Sequence, residues 1–250
     1  MVKISVITAV FNARDSVEDA IKSVLRQTYD NFELIVIDGA STDGSKEVIE
    51  NFRDSLGVFI SEPDDGIYDA LNKGIKFASG DVIGFLHADD VFENDDILSK
   101  VAINFMDSEI DAVYGDLVYI SKKKPANILR YWKSGAYSEG MLKQGWMPPH
   151  PTFYCRRSAY TQMGMFDVSF DIAADYDCML RFFTSKNFRC AYIPEVLVRM
   201  SVGGTSNRSI SNIIRKSVED YRALSWNNVG GISVLVAKNL RKLPQFFHEN

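Results

Sequence analysis

The chain has 250 residues, 46% of them hydrophobic and 24% charged, with a formal net charge of −5. That length holds one sizeable core, or one core with a small appendage, and the composition is that of an ordinary globular protein. The acidic balance excludes a general pull towards nucleic acid, and no apolar run reaches membrane-spanning length. Cys155, Cys178 and Cys190 lack CxxC spacing, which argues against a disulfide framework or a zinc site and favours a reducing compartment.

Strand-like and helical patterns alternate along the first half. Residues 2–10 (VKISVITAV) are β-branched and apolar and predict a central strand, not a signal peptide. Phe11, Asn12, Ala13, Arg14 and Asp15 form the connecting loop, and Val17, Ala20, Ile21, Val24 and Leu25 then share one helical face. Residues 32–37 (FELIVI) predict a second strand, closed by Asp38-Gly39-Ala40-Ser41-Thr42-Asp43-Gly44-Ser45, a run of turn and cap residues. A helix follows at Val48, Ile49 and Phe52, then a short strand at residues 58–60, the loop Glu62-Pro63-Asp64-Asp65-Gly66, and a helix through Tyr68, Leu71, Ile75 and Ala78. Residues 82–86 predict a strand buried on both faces that runs into His87-Ala88-Asp89-Asp90. Strands and helices in this rhythm predict an α/β nucleotide-binding fold, a mostly parallel central sheet with helices on both faces.

Beyond Asp90 the pattern loosens. A helix is expected at residues 97–105, a strand pair at 112–120, a basic turn at Lys122-Lys123-Lys124-Pro125, and no element at 126–144. A strand at 152–155, a loop at 166–174, a helix opened by Asp175, and short strands at 189–193 and 196–200 follow. They lead to the loop Gly203-Gly204-Thr205-Ser206, whose glycines suit closure over a diphosphate. The tail reads as two amphipathic helices, one striped by Ile210, Ile213, Ile214, Val218, Tyr221 and Leu224, the other by Ile232, Val236, Leu240 and Leu243. From Arg208 onward there are seven Lys/Arg against three Asp/Glu, a basic tail on an acidic body.

The first strand ends in Ala9-Val10-Phe11-Asn12-Ala13, without the glycines that let a Rossmann turn meet a pyrophosphate, and no P-loop is present. Nicotinamide and ATP chemistry are thereby disfavoured. Asp89 and Asp90 stand instead at the C-terminal end of a buried strand, where open α/β sheets bind ligands. Their hard oxygens suit Mn2+ or Mg2+ bridging two phosphates. Taken alone, such a pair favours a turn in which Asp95 or Asp96 caps the next helix, and the rest of the chain reverses that preference.

The segment 4–12, the run from Asp38 to Ser45, Asp65-Gly66-Ile67-Tyr68-Asp69-Ala70-Leu71-Asn72-Lys73-Gly74, the segment 86–90 and Ala174-Asp175-Tyr176-Asp177 occur in an order that resembles the inverting family-2 glycosyltransferases of the GT-A fold. The likeness is greatest to bacterial enzymes of exopolysaccharide, O-antigen and colanic-acid assembly, over about residues 1–206. It implies a GT-A catalytic domain at 1–206, with a nucleotide-sugar half at 1–121 and an acceptor half at 122–206, and a helical extension at 207–250. It implies nucleotide binding by Thr8, Ala9, Phe11, Asn12, Asp38, Asp65, Asn72, Lys73 and Asp89, and a metal held by Asp90 with Asp89. The family's usual acidic residue at the first position of the metal motif is His87 here, so Asp90 is the principal expected ligand. Asp175 matches the catalytic base, although Ala174 replaces the Glu that often precedes it. His150 and Arg181 are expected on the acceptor side. The processive members' Gln-x-x-Arg-Trp motif is missing, which implies one sugar per encounter.

The same residues have plainer readings. Asp175 suits a helix N-cap, Asp38 and Asp43 suit a turn, His150 a structural loop position, and Arg181 an i,i+4 pair with Asp177. The expected reaction is single-sugar transfer from a nucleotide-diphosphate sugar, UDP-linked, to a saccharide or polyprenyl-diphosphate-linked saccharide, in surface polysaccharide assembly. A sugar nucleotidyltransferase and a non-catalytic nucleotide-sugar-binding module are the competitors. The expected location is the cytoplasm, with the basic tail either resting on the inner membrane surface or packed on the catalytic body.

Overall fold

The computed structural model describes residues 1–122, 124–202 and 210–246. Lys123 of the basic turn, the Gly203–Ser206 loop and the expected boundary after residue 206 lie outside the described residues. The first half runs β1 (Ile4–Val10), α1 (Val17–Leu25), β2 (Phe32–Asp38), α2 (Ser45–Glu50), β3 (Val58–Ser61), α3 (Ile67–Phe77) and β4 (Val82–Phe85). The second runs β5 (Asp90–Phe92), α4 (Ile97–Asn104), β6 (Ala112–Ser121), β7 (Lys124–Trp132), β8 (Tyr154–Arg156), α5 (Arg157–Met163), α6 (Ala174–Thr184), β9 (Cys190–Ser201), α7 (Ile210–Trp226) and α8 (Ile232–Leu240).

The described strands form one sheet in the order β3-β2-β1-β4-β8-β6-β9-β5, with β7 against β6. β1 through β4 are parallel, as their crossover helices require. Side chains alternate between two cores, because successive Cβ atoms on a strand point to opposite faces. Leu34 and Val36 of β2 join Val17, Ile21, Ile97 and Val101 on one face. Ile35 and Ile37 join Leu71, Ile75 and the aromatic cluster of α6 on the other. Gly84 of β4 is required by packing, since a Cβ there would lie 2.2 Å from the Tyr154 ring. The outcome is an α/β fold with helices on both faces, extended past β4 by antiparallel pairings of β8 with β4 and β6.

Four elements differ from expectation. The strand pair at 112–120 is one ten-residue strand, β6. The two strands after Arg189 fuse into β9, which pairs parallel with β6 through a register shift between Tyr114 and Asp116. Pro194 lies in that stretch and has no N–H for the ladder, so β9 bulges there and does not break. β7 occupies part of 126–144, where an edge strand bordered by basic and turn residues shows no clean alternation. β5 is three residues long, too short to carry a period.

The C-terminal helices pack on the body through Ala223, Leu224, Val229 and Val234. Gly145, at φ 75°, lets α8 settle directly on the turn Met141–Gln144, because a Cβ would meet the Lys238 backbone nitrogen at 2.2 Å. None of the described helices is long and apolar enough to cross a membrane.

Candidate active site

The ends of β1 and β2 bring Thr8, Ala9, Phe11, Asn12 and Asp38 to one edge of the sheet. Asn12 turns the chain at φ 49°, and its side-chain Oδ1 accepts the Thr42 N–H at 3.0 Å while its own N–H donates to Ser41 Oγ at 2.9 Å. Ala13 N–H donates to Ser45 Oγ at 2.8 Å and Arg14 N–H to Asp43 Oδ2 at 3.0 Å. The two loops are thus stitched into one wall. Burial pushes the Asp43 carboxyl up, but the Ser45 hydroxyl and the N–H groups of Arg14 and Ser45 outweigh it and leave it below its ordinary value. Asp38 is fully buried, accepting from Ser41 Oγ at 2.5 Å and Ser61 Oγ at 2.7 Å. Phe11, 67% exposed, leaves an aromatic ring in solvent beside this wall. Asp65 is exposed on the neighbouring loop after β3.

Of the carboxylate pair, Asp89 keeps 27% of its side chain exposed, 3.7 Å from Lys122 Nζ. Asp90 is fully buried at the start of β5, where its Oδ1 accepts the Ser201 N–H at 3.1 Å and its Oδ2 has no hydrogen-bond partner among the described residues. Burial first, then the charge of Asp89, pushes the Asp90 carboxyl well above the usual range, against the pull of Ser201 N–H and Lys122. The two carboxylates differ in accessibility: Asp89 reaches solvent, and Asp90 lies buried beside it. No group of three or more His, Cys, Asp or Glu side chains among the described residues could enclose a cation. What the pair does fit is a hard cation held by one or two carboxylates and otherwise by phosphate oxygens and water, with Asp90 Oδ2 as a buried oxygen without a partner among the described residues.

A cavity of about 840 Å³ opens between the sheet and the C-terminal helices, lined among others by Tyr68, His87, Trp146, His150 and Asp175. Asp175 lies in the first turn of α6 and is partly exposed, its negative charge favoured by the helix N-terminus. The Tyr68 hydroxyl can donate to Asp175 Oδ1 at 3.1 Å or to the Ile172 carbonyl at 2.7 Å. His150 is buried, stacked on Phe85 with centroids 4.9 Å apart and 6.0 Å from the His87 ring. Burial, reinforced by His87, drives His150 down to about 4 despite the opposing charge of Asp175. Burial likewise lowers His87. Burial raises the Asp175 carboxyl, but positive charge from His150, Lys216 and Lys238 and the Tyr176 N–H outweigh it, so its net displacement is downward. His150 being neutral above about pH 4, the lysines and the helix end keep Asp175 ionised near neutrality.

Three expected site residues have polar atoms engaged within the chain. Asn72 is buried and bonds both ways to the Phe166 backbone, Nδ2 donating to the carbonyl at 2.8 Å and Oδ1 accepting the N–H at 3.0 Å. Lys73 is tied to Glu62 at 2.9 Å, Asp69 at 3.3 Å and the Pro63 carbonyl at 3.0 Å, so its charge is neutralised within its own loop. Arg181 pairs with Asp177 at 2.9 Å and donates to the carbonyls of Met163, Gly164 and Met165, which takes up its donors away from the cavity. Sequence reading did not single out Tyr68 as a partner of Asp175, nor Glu219. The buried Glu219 carboxylate on α7 accepts the N–H groups of Asp171 at 3.2 Å, Ile172 at 2.8 Å and Ala173 at 2.9 Å, the three residues leading into α6.

A model of the family described as Glycosyl transferase family 2 matches residues 5–169. A PGL/p-HBAD biosynthesis glycosyltransferase of Mycobacterium bovis is 29% identical over 208 residues, covering 81% of this chain and 78% of the relative. An uncharacterized glycosyltransferase of Mycobacterium tuberculosis is 31% identical over 188 residues, covering 71% and 68%. Among solved structures, S. aureus TarS in complex with UDP superposes with a TM-score of 0.69 at 17% identity, over 97% of this chain and 72% of that one. The mannosyltransferase PcManGT from Pyrobaculum calidifontis, in complex with GDP-Man and Mn2+, gives 0.68 at 18% identity, over 98% and 72%. The last two similarities establish a common GT-A fold.

Proposed function

The chain belongs to glycosyl transferase family 2, and on that premise we propose that it moves a single sugar from a UDP-linked donor to a saccharide or lipid-linked saccharide, inverting the anomeric centre. Membership sets aside the nucleotidyltransferase and the non-catalytic module. The observation that carries the finer reading is Asp175, a partly exposed carboxylate at a helix N-terminus in the cavity wall, bonded to Tyr68 across the two halves of the chain.

The wall of Thr8, Ala9, Asn12 and Asp38 cradles the nucleoside, and the free Phe11 ring offers a stacking face to the base. Asp38 acts there through the serines it holds, and Asp65 borders the same edge. Asp89, with Asp90 behind it, is the place for Mn2+ or Mg2+, which when bound would offset charge on the departing diphosphate. TarS crystallised with UDP and PcManGT with GDP-Man and Mn2+ make a nucleotide-diphosphate donor and a divalent cation consistent with this fold.

Asp175 takes the proton from the acceptor hydroxyl as that oxygen attacks the anomeric carbon and the bond to the diphosphate breaks on the opposite face. Tyr68 fixes the carboxylate's direction, and His150, neutral above about pH 4, adds no charge of its own beside it near neutrality. Holding both substrates in line supplies much of the remaining acceleration.

The C-terminal helices leave Ile214, Val218, Ile232, Val236 and Leu240 exposed, with Arg215 also exposed on α7, which suits peripheral contact with an anionic bilayer while the inner faces pack on the body. Asp175→Asn, assayed with a panel of nucleotide sugars and Mn2+, should abolish transfer while UDP still binds. Retained transfer, or lost UDP binding, removes Asp175 from the role of base.

A further inference from the structure

The part of the cavity contributed by the C-terminal helices is one-sided in charge. Arg130 of β7, Arg215 and Lys216 of α7, Lys238 of α8, and Arg241 and Lys242 just beyond it all line it. The arginines are engaged within the fold. Arg130 donates to Gln245 Oε1 and lies over the Tyr119 ring, Arg215 pairs with Asp171 at 2.9 Å, and Arg241 donates to the Gln144 carbonyl at 3.0 Å.

Of the three lysines, Lys238 alone is held by a carboxylate among the described residues. Lys238 lies 3.2 Å above the centre of the Tyr176 ring and forms an ion pair with the buried Asp220 at 2.7 Å. Lys216 and Lys242 have no ion-pair partner among the described residues, and Lys242 donates only to the neutral Asn239 Oδ1 at 3.1 Å. All three are partly buried, so solvent screens them incompletely. Their mutual repulsion is visible in their acidity. Burial, added to by the charges of Lys216 and Lys242, outweighs Asp220 and lowers Lys238 to about 7. Burial and the charge of Lys216 also lower Lys242.

Three half-buried ammonium groups face two carboxylates, Asp220 paired with Lys238 and Asp175 elsewhere in the cavity wall, and the unpaired positive charge left over costs stability unless an anion joins it. We propose that Lys216, Lys238 and Lys242 form an anion site for a phosphate or diphosphate group carried by the acceptor, in the same cavity as Asp175. This rests on the cavity being the acceptor site, and it narrows the acceptor from saccharides in general to phosphate-bearing ones. Ammonium groups converging as point charges suit a multiply charged phosphate, whereas a lone carboxylate is better matched by the flat fork of arginine. The wall around Thr8 and Asp38 does not line this cavity, which separates the lysines from the donor's nucleoside end. They also face the cavity, not the exposed apolar ridge of Ile214, Val218 and Val236, so the phosphate belongs to the acceptor and not to the bilayer.

The test is direct binding of farnesyl diphosphate to the full-length protein in EDTA, read by the fluorescence of Trp132 and Trp146, which line the cavity. Saturable binding is expected, with farnesol and inorganic pyrophosphate separating the contribution of the chain from that of the charge. The Lys216→Gln/Lys242→Gln variant should bind about tenfold more weakly or worse, and the Lys→Arg pair should restore most of the affinity. Both pairs spare the buried Lys238–Asp220 contact, and their melting temperatures establish that they fold. Absence of saturable binding, or equal affinity in the glutamine variant, overturns the proposal. So does a variant that loses binding to phosphatidylglycerol–phosphatidylcholine vesicles but keeps farnesyl diphosphate, which would make this a headgroup site. Loss of UDP–Mn2+ affinity with farnesyl diphosphate unaffected would assign the lysines to the donor, also against the proposal. Because the probe needs neither donor nor cation, failure of sugar transfer with probe binding intact would count against the proposed function alone.

Discussion

The Tyr68 hydroxyl, in the first turn of α3, stands 3.1 Å from Asp175 Oδ1, in the first turn of α6. The two helices come from opposite halves of the chain, so an element of the first half helps to set the orientation of this carboxylate in the second. One hydroxyl proton serves two acceptors here, Asp175 and the Ile172 carbonyl. Tyr68 is placed to stay on the Ile172 carbonyl at 2.7 Å if Asp175 turns away, which keeps the loop before α6 in place.

Replacing Tyr68 with Phe removes that hydroxyl and leaves the ring packed on Phe166. A hydrogen bond to a charged group is worth about 1.5–3 kcal/mol, so kcat should fall by about tenfold or more while the KM for the donor stays close to wild type. Steady-state kinetics with donor and acceptor varied separately reads this. An unchanged kcat with a lowered melting temperature would make Tyr68 a buttress of Ile172 only.

Glu219 reaches Asp175 by another route, accepting three consecutive backbone N–H groups just before α6. Its negative charge at a helix N-terminus favours that turn and fixes where Asp175 begins. Glu219→Gln keeps the shape and removes the charge. It should lower stability by about 1–3 kcal/mol and lower kcat with little change in donor KM, as thermal unfolding and kinetics on the same preparation would reveal. Loss of donor affinity in place of kcat would contradict a role at Asp175.

The parallel half was legible because its elements are long or strictly patterned. β1 and β2 are apolar on both faces, and the loops after them consist of turn residues, so Asn12, Asp38 and Asp175 could be placed at strand or helix ends from the sequence. What was not legible depends on contacts across the chain. Asn72 and Lys73 sit in a motif of the family, yet the Phe166 backbone and Glu62 claim their polar atoms. The burial of Asp90 follows from β5 pairing with β9, a three-residue strand meeting a segment over a hundred positions away in the chain, which no local period announces. Glu219 looked like one charge on an amphipathic helix until the fold brought it to α6.

Arg181 tests the structural reading against the acceptor-side one. It joins Asp177 to the carbonyls of Met163 at the end of α5 and of Gly164 and Met165 just after it, and Asp177 is itself buried and accepts from Asn227 Nδ2 at 2.8 Å. Arg181→Lys loses the planar fork that serves these partners, and a drop of about 2–4 kcal/mol in unfolding free energy is expected, with the folded fraction keeping its acceptor KM. A raised acceptor KM in a stable variant would return Arg181 to the site.

Asp89 and Asp90 should separate by experiment. EDTA should remove activity from the wild-type enzyme, and Mn2+ or Mg2+ should restore it. Asp89→Asn, at a partly exposed side chain, should raise the cation concentration for half-maximal activity by about tenfold or more and leave the melting temperature nearly unchanged. Activity indifferent to EDTA, or an Asp89→Asn enzyme with wild-type cation demand, would remove the carboxylate pair from cation binding.

Glu33 carries the clearest dependence of stability on pH. Its carboxylate accepts from Lys3 Nζ at 2.8 Å, Ser5 Oγ at 2.6 Å, and the N–H and hydroxyl of Ser79 at 2.7 and 2.8 Å, joining the start of β2 to β1 and to the turn before β4. Burial works to raise its pKa, but these donors outweigh burial and bring it from 4.5 to about 2. A carboxylate depressed in the folded state stabilises the fold fully above its unfolded pKa. That contribution is lost as pH falls from about 4.5 through about 2. Its size, discounted for partial solvent screening, is about 1–2 kcal/mol. Glu33→Gln should therefore be less stable than wild type by that amount at neutral pH, and denaturant unfolding should show the gap closing as the pH is lowered through this window. A gap that stays constant down to pH of about 2 would mean that the glutamine's lost packing, and not the charge of Glu33, sets the difference.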